Sequence, residues 1–323
     1  MQHPGHQQSM AQASALPSCV VISIGGNALD PTSSASTGTG QRAIAERTLL
    51  QLQPLLTGPD AIVLTHGNGP QVGALLEHYS QRHGETRFQA RQVPREPAPL
   101  DVCVAESQGE LGYLLSRTLH DILDNANSTR AIASLLTLVE VDTHDAAFQT
   151  PSKPIGRAPR RMVASPAPRA ILNLDIIRTL LRSNALVIAG GGGGIPVCRR
   201  TDDAGVTHLE GVAAVVDKDA TAALLADAVD ARLLLFVTAV PCVYASFGKP
   251  QQRAFAHLSA DQARTYAAAG HFAPGTMGPK IAAALRFLQP ERPAQLADRQ
   301  VLICSPDNVA DALAHAAGTW ISL

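Results

Sequence analysis

Apolar positions in this chain follow two rhythms. Residues 19–24 (CVVISI), 61–64 (AIVL), 185–189 (ALVIA), 232–237 (RLLLFV) and 300–304 (QVLIC) form short, nearly unbroken runs rich in Val, Ile and Leu. Runs of that length without polar alternation predict strands buried on both faces, as in a parallel sheet. Between them lie longer segments with helical spacing: 42–56, 106–125, 170–183, 220–229 and 280–288. Strands alternating with helices predict βαβ units and an α/β fold, with 300–304 as the last major strand.

Three of the predicted strands run directly into glycine. The first ends in Gly25-Gly26-Asn27, the second in Thr65-His66-Gly67-Asn68-Gly69-Pro70, and the third in Gly190 to Gly194. In open α/β sheets ligands bind outside the carboxyl ends of the strands. Glycine there lets the backbone approach a ligand, and a following helix N-terminus favours an anion. One such turn is accounted for by tight geometry alone; three in corresponding positions point to an anionic ligand. The Walker-type P-loop, the dinucleotide fingerprint, the protein-kinase signatures and the Gly-x-Ser-x-Gly nucleophile elbow are all absent. His66 before its glycine invites comparison with a lipase oxyanion loop, but no serine elbow supports that reading.

An anion cradle needs cations. Lys153 lies between prolines in Pro151-Ser152-Lys153-Pro154, Lys218 is enclosed as Asp217-Lys218-Asp219 ahead of a helix, and Lys280 follows Gly278-Pro279 and opens another. Phosphoryl transfer asks the protein mainly for positioning and for positive charge around the moving oxygens. Glycine loops, three constrained lysines and an Asp to organise them fit transfer of phosphate between ATP and a small anion.

Composition narrows the classes. Lys plus Arg number 26 and Asp plus Glu 27, for a net charge of −1, which lacks the basic footprint of a nucleic-acid or anionic-membrane binder. The apolar runs are far shorter than the roughly 20 residues of a membrane span. Cysteines at 19, 103, 198, 242 and 304 are odd in number and widely spaced, which argues against a disulfide framework or zinc site and for a reducing, cytoplasmic setting. Residues 1–18, rich in Gln, His and Ser, read as a disordered extension without a secretion-signal pattern; His3 and His6 there are weak metal ligands at most.

The motifs VISIGGNAL (21–29), THGNGPQVG (65–73), DVCVAESQGELGYLL (101–115), DAAFQTPSKPIG (145–156), IAGGGGGIPV (188–197), VVDKD (215–219) and GHFAPGTMGPK (270–280) together resemble the carbamate kinases of the amino-acid kinase superfamily. The resemblance runs from Cys19 to the C-terminus. It implies a three-layer αβα sandwich with an open, mainly parallel sheet of about eight strands. One lobe (19–200) would hold the carbamate and phosphoryl site, the other (201–323) the nucleotide. By position it implies that Gly25, Gly26 and Asn27 cradle the transferring phosphate, and that Gly67, Asn68 and Gly69, with Ser107, bind the small acid. Lys153, Lys218, Asp219 and Lys280 would be the catalytic set. Gly191, Gly192, Gly193 and Gly194 would line the nucleotide side with Thr238, Tyr244, Met277 and Gly278. ATP or ADP with Mg²⁺, carbamate or carbamoyl phosphate as substrate, a homodimer and a role in arginine catabolism come with it; no metal ligand is assigned.

The chain also departs from that pattern. The projecting lid, near 143–164, is shortened, because Gly156 reaches Arg160-Arg161 almost at once. Ala239 and Ala213 replace acidic residues, and Thr143-His144 replace Lys and Asn. These changes leave room for another small acid as acceptor, or for a nucleotide-binding homologue with weak catalysis.

Overall fold

The computed structural model describes residues 18–26, 29, 38–82, 100–156, 161–289 and 298–323. Asn27, the extension before Ser18 and the lid residues 157–160 lie outside the described residues.

The apolar runs become the centre of one eight-stranded sheet. Its strands are β1 (Cys19–Ile24), β2 (Ala61–His66), β3 (Ile132–Ser134), β8 (Leu186–Ile188), β11 (Leu233–Val237), β14 (His257–Ser259), β15 (Gln300–Cys304) and β16 (Thr319–Ser322). Their order is β14-β16-β15-β11-β1-β2-β8-β3. All neighbours pair in parallel except β15 with β16. A smaller sheet, ordered β10-β9-β4-β7, combines β4 (Leu138–Val141), β7 (Pro168–Ile171), β9 (Ile195–Thr201) and β10 (Thr207–Gly211). Two hairpins complete the strands: β5 (Lys153–Ile155) with β6 (Arg161–Val163), and β12 (Val243–Ala245) with β13 (Arg253–Phe255).

Alternation within each strand divides the core in two. Val20, Ile22 and Ile24 of β1 face one cluster, with Ile62, Leu64, Leu233 and Leu235; Val21 faces the other, with Val63, Leu234 and Phe236. Because successive side chains leave opposite faces of a strand, a run apolar at every position must be covered on both sides. Helices α1 (Gly38–Gln51), α2 (Gln53–Thr57), α4 (Leu100–Asn125) and α9 (Val309–Leu313) cover the first face. Helices α5 (Leu174–Arg182), α6 (Lys218–Ala228), α7 (Ala260–Ala268) and α8 (Met277–Leu288) cover the second. This is the three-layer αβα sandwich that the resemblance implied. Helix α3 (Gly69–Arg82) packs on α4 beside the β5–β6 hairpin.

Two expectations are corrected. The helix read over 170–183 begins only at Leu174; residues 168–171 are strand β7, which opens on a proline and pairs antiparallel with β4. Residues 300–304 are not the last strand of the sheet, since β16 adds antiparallel to β15. Four residues, TWIS, are too few to show a period of their own.

Candidate active site

The carboxyl ends of β11, β1, β2 and β8 lie side by side, so the three glycine loops share one edge of the sheet. The Gly25 N–H donates to the Val237 carbonyl (2.9 Å) and the Gly67 N–H to the Ile24 carbonyl (3.0 Å), which ties the loops after β1 and β2 to their neighbours. A Cβ on Gly67 would stand 2.7 Å from the Gly26 nitrogen, so only glycine admits this approach. Gly69 opens α3, and the space where its Cβ would project is clear.

Asn68 is buried and donates from Nδ2 to Ser107 Oγ (2.7 Å), which in turn donates to the Val104 carbonyl (2.7 Å). Gly191 to Gly194 pack against His66, Asn68, Val216 and Val139 in that order. The run thus sits on the Asn68 side of the loops rather than beside Thr238, because β8 neighbours β2 while β1 and β2 separate it from β11. Thr238 continues from β11, its N–H bonded to the Cys304 carbonyl (2.9 Å). Tyr244 lies on β12 with its ring 5.4 Å from that of Phe247, and Met277 and Gly278 open α8, where the Gly278 N–H donates to the Ala273 carbonyl (2.8 Å).

The lysines converge on the first turn of α6. Asp217 is its N-cap: Oδ1 accepts the N–H groups of Asp219 (2.9 Å) and Ala220 (3.2 Å). Asp219, only 3% exposed, accepts Lys218 Nζ on Oδ1 (2.5 Å) and Lys280 Nζ on Oδ2 (2.9 Å), with Ser23 Oγ donating to Oδ1 (3.2 Å). Lys280 belongs to the buried stripe of α8 formed with Ile281, Ala284, Phe287 and Leu288. Lys153 Nζ, from the β5–β6 hairpin, donates to Asp217 Oδ2 (3.0 Å) and to the Val216 carbonyl (3.2 Å).

Two ammonium groups on one buried carboxylate leave one positive charge uncompensated. Burial pushes the Asp219 carboxyl up, but Lys218 and Lys280 overcome it and hold it well below the usual carboxylate range. The two lysines then separate. Burial disfavours both ammonium forms; Asp219 at its short distance lifts Lys218 above its ordinary value, whereas Lys280, also facing the Lys218 charge, ends below. A buried site with surplus positive charge and glycine backbone around it favours an oxyanion.

Among the described residues no three His, Cys, Asp or Glu side chains converge where a metal ion could sit. Asp217 and Asp219 are both committed to lysines.

Two further polar groups, to which the motifs gave no role, support the site. Ser23 is the polar member of an otherwise apolar strand, and Gln108 interrupts the apolar stripe of α4; it donates to the Gly191 carbonyl (2.8 Å) and accepts the Thr137 N–H (2.8 Å). In each, a polar side chain at a position the periodicity assigns to the core was the available signal. Of the departures, Ala213 and Ala239 are exposed, and His144 stands in solvent against Asp142.

His66 is not an oxyanion-loop residue: its imidazole is buried, wedged against Gly191, with Nδ1 3.3 Å from the Gly67 carbonyl. Burial pulls its pKa from 6.5 to about 4, against a smaller opposing effect of that carbonyl. The unfolded chain therefore binds a proton in the window from 6.5 down to 4 that the folded chain refuses, and stability falls as pH falls through it. At 1.36 kcal/mol per unit the contribution is roughly 3 kcal/mol. Asp217 and Asp219, both held below 3.8, lose their contribution only beneath that window. Urea unfolding followed from pH 6.5 to 4 should show a clearly flatter decline for His66→Gln; an unchanged slope would remove His66 as its source.

A parallel sheet whose glycine loops surround a buried excess of lysine charge defines a phosphate-handling α/β protein. The sequence pattern of the Amino acid kinase family matches residues 18–298, and the chain belongs to that family. Carbamate kinase 2 of Staphylococcus aureus strain Mu50 is 36% identical, over 94% of this chain and 99% of its own. Among solved structures, the carbamate kinase of Giardia lamblia bound to AMP-PNP superposes with a TM-score of 0.81 at 32% identity, covering 95% of this chain and 98% of its own. A protein of Aeropyrum pernix K1 superposes with a TM-score of 0.80 at 32% identity, covering 94% and 99%.

Proposed function

We propose that this chain is a carbamate kinase, transferring a phosphoryl group between carbamoyl phosphate and ADP. The observation that carries the reading is the pair of lysines, Lys218 and Lys280, on the single buried carboxylate of Asp219. Their surplus charge answers the charge that spreads over phosphoryl oxygens during transfer. The names of the Staphylococcus and Giardia relatives supply the acid, and the nucleotide analogue bound to the Giardia protein supplies the second substrate.

In this reading Gly26 presents its backbone N–H to the moving phosphoryl group, Gly25 shapes the turn with its own N–H held by the Val237 carbonyl, and Asn27 is assigned with them by resemblance. Gly67, Asn68 and Gly69 hold the carbamate. With Nδ2 committed to Ser107, Asn68 keeps its carbonyl oxygen as an acceptor, which suits the amino group of carbamate. Gly191 to Gly194 shape the same side. Thr238, Tyr244, Met277 and Gly278 take the nucleotide. Magnesium arrives on the nucleotide phosphates as part of that substrate. The two lobes are then an acid side and a nucleotide side of one sheet. A homodimer, a cytoplasmic setting and a catabolic direction toward ATP, as in arginine breakdown, belong to the proposal. No helix among the described residues is long and apolar enough to cross a membrane.

Purified protein given ADP, Mg²⁺ and carbamoyl phosphate should form ATP, read by a coupled hexokinase assay. ATP formation from acetyl phosphate but not carbamoyl phosphate would move the acceptor to another acid. Nucleotide binding without turnover on either would leave a binding protein.

A further inference from the structure

We infer that Asp217 is a positioning residue for the transfer, holding the Lys153 ammonium at the mouth of the site while it caps α6. The inference rests on the reaction proposed above.

The two carboxylate oxygens have separate partners. Oδ1 receives the N–H groups of Asp219 and Ala220, and Oδ2 receives Lys153 at 3.0 Å. One side chain therefore joins the β5–β6 hairpin to the helix turn that carries Lys218 and Asp219. A plain N-cap needs only the first pair of contacts. The second anchors Lys153 on the residue that directly precedes Lys218 and against the Val216 carbonyl, the group over which Gly193 closes.

The hairpin itself is already seated. Ile155 and Val163 are buried in a cluster with Val72, Cys103, Val104 and Val215. Gly73 of α3 lets the hairpin backbone approach at Gly156, since a Cβ on Gly73 would stand 2.3 Å from the Gly156 Cα. With the strand fixed and Pro154 restricting the backbone, what remains to be set is the long Lys153 side chain, and Asp217 sets it. Burial opposes ionisation of Asp217, but the Lys153 charge prevails and keeps the carboxyl below its ordinary range. An arriving phosphoryl group can take over donation from Lys153 while the hairpin stays in place. The hairpin thus presents its lysine already positioned.

Asp217→Asn and Asp217→Ser test this, because both keep a side-chain oxygen for the cap and remove the charge. Each should unfold within a few degrees of wild type, yet lower kcat for ATP formation by about tenfold or more, with KM for ADP unchanged. In a Lys153→Ala background, Asp217→Asn should add less than about a twofold loss, since it acts through the missing lysine. Losses that multiply, or a wild-type kcat in both single variants, would overturn the inference.

A second measurement is independent of turnover. Lys153 acylation by an amine-reactive ester, mapped on peptides, should accelerate several-fold when Asp217 no longer holds the ammonium. Labelling unaffected by the substitution overturns the inference itself. Wild-type protein that makes no ATP while Lys153 labelling responds overturns the carbamoyl phosphate reading and supports the pairing.

Discussion

Lys280→Met should lower kcat for ATP formation by about 10²–10³-fold, the range found when one preorganised donor to a developing oxyanion is removed. Methionine keeps most of the buried stem volume and deletes the charge. The stability outcome should run the other way. Burial and the neighbouring Lys218 hold Lys280 below its ordinary pKa, so the folded protein disfavours this ammonium more than the unfolded chain does. Without it, Asp219 and Lys218 remain as a balanced pair at 2.5 Å. The variant should therefore unfold at or above the wild-type midpoint while turning over far more slowly. That combination separates a charge kept for chemistry from one kept for folding. A kcat within tenfold of wild type would take Lys280 out of the transfer, and a large drop in the midpoint would make its role structural.

The same residues show what a one-dimensional reading reaches. Strands β1, β2, β11 and β15 were legible because helices cover both their faces, which forces apolar residues at every position. The glycine turns were legible because each follows such a strand directly. The three lysines stood out by their constrained neighbours, and their convergence on one helix turn agrees with that. Which carboxylate holds which lysine was not legible. Asp217 and Asp219 flank Lys218 in sequence, yet Asp217 faces Lys153, 64 positions away, and Asp219 faces Lys280, 61 away. Sequence order likewise could not place Gly191 to Gly194, since that depends on β8 pairing with β2. Strand β7 was hidden because its four residues adjoin a strongly amphipathic helix.

Gly193→Ala should be among the most damaging single-methyl additions to the protein. Its φ of +95° lies where L side chains are strained, and the added Cβ would fall on the Val216 carbonyl. A backbone carbonyl cannot swing aside as a side chain can, and this one leads into Asp217 and the capped first turn of α6. Strain and clash together should cost at least about 3 kcal/mol, or roughly 4 °C in unfolding midpoint for a chain of this size. Gly205→Ala provides the comparison: φ is +79° there, but nothing lies within 4 Å of the new methyl, so only the backbone term of about 1 kcal/mol applies. The activities should diverge further than the stabilities. Well below either midpoint, Gly205→Ala should retain wild-type kcat, because its turn joins the exposed ends of β9 and β10. Gly193→Ala displaces the carbonyl that receives Lys153 and should lose kcat even where it is fully folded. Equal midpoints in the two variants would show that the loop relaxes around the methyl. Full activity in folded Gly193→Ala would show that the Val216 carbonyl does not help to aim Lys153.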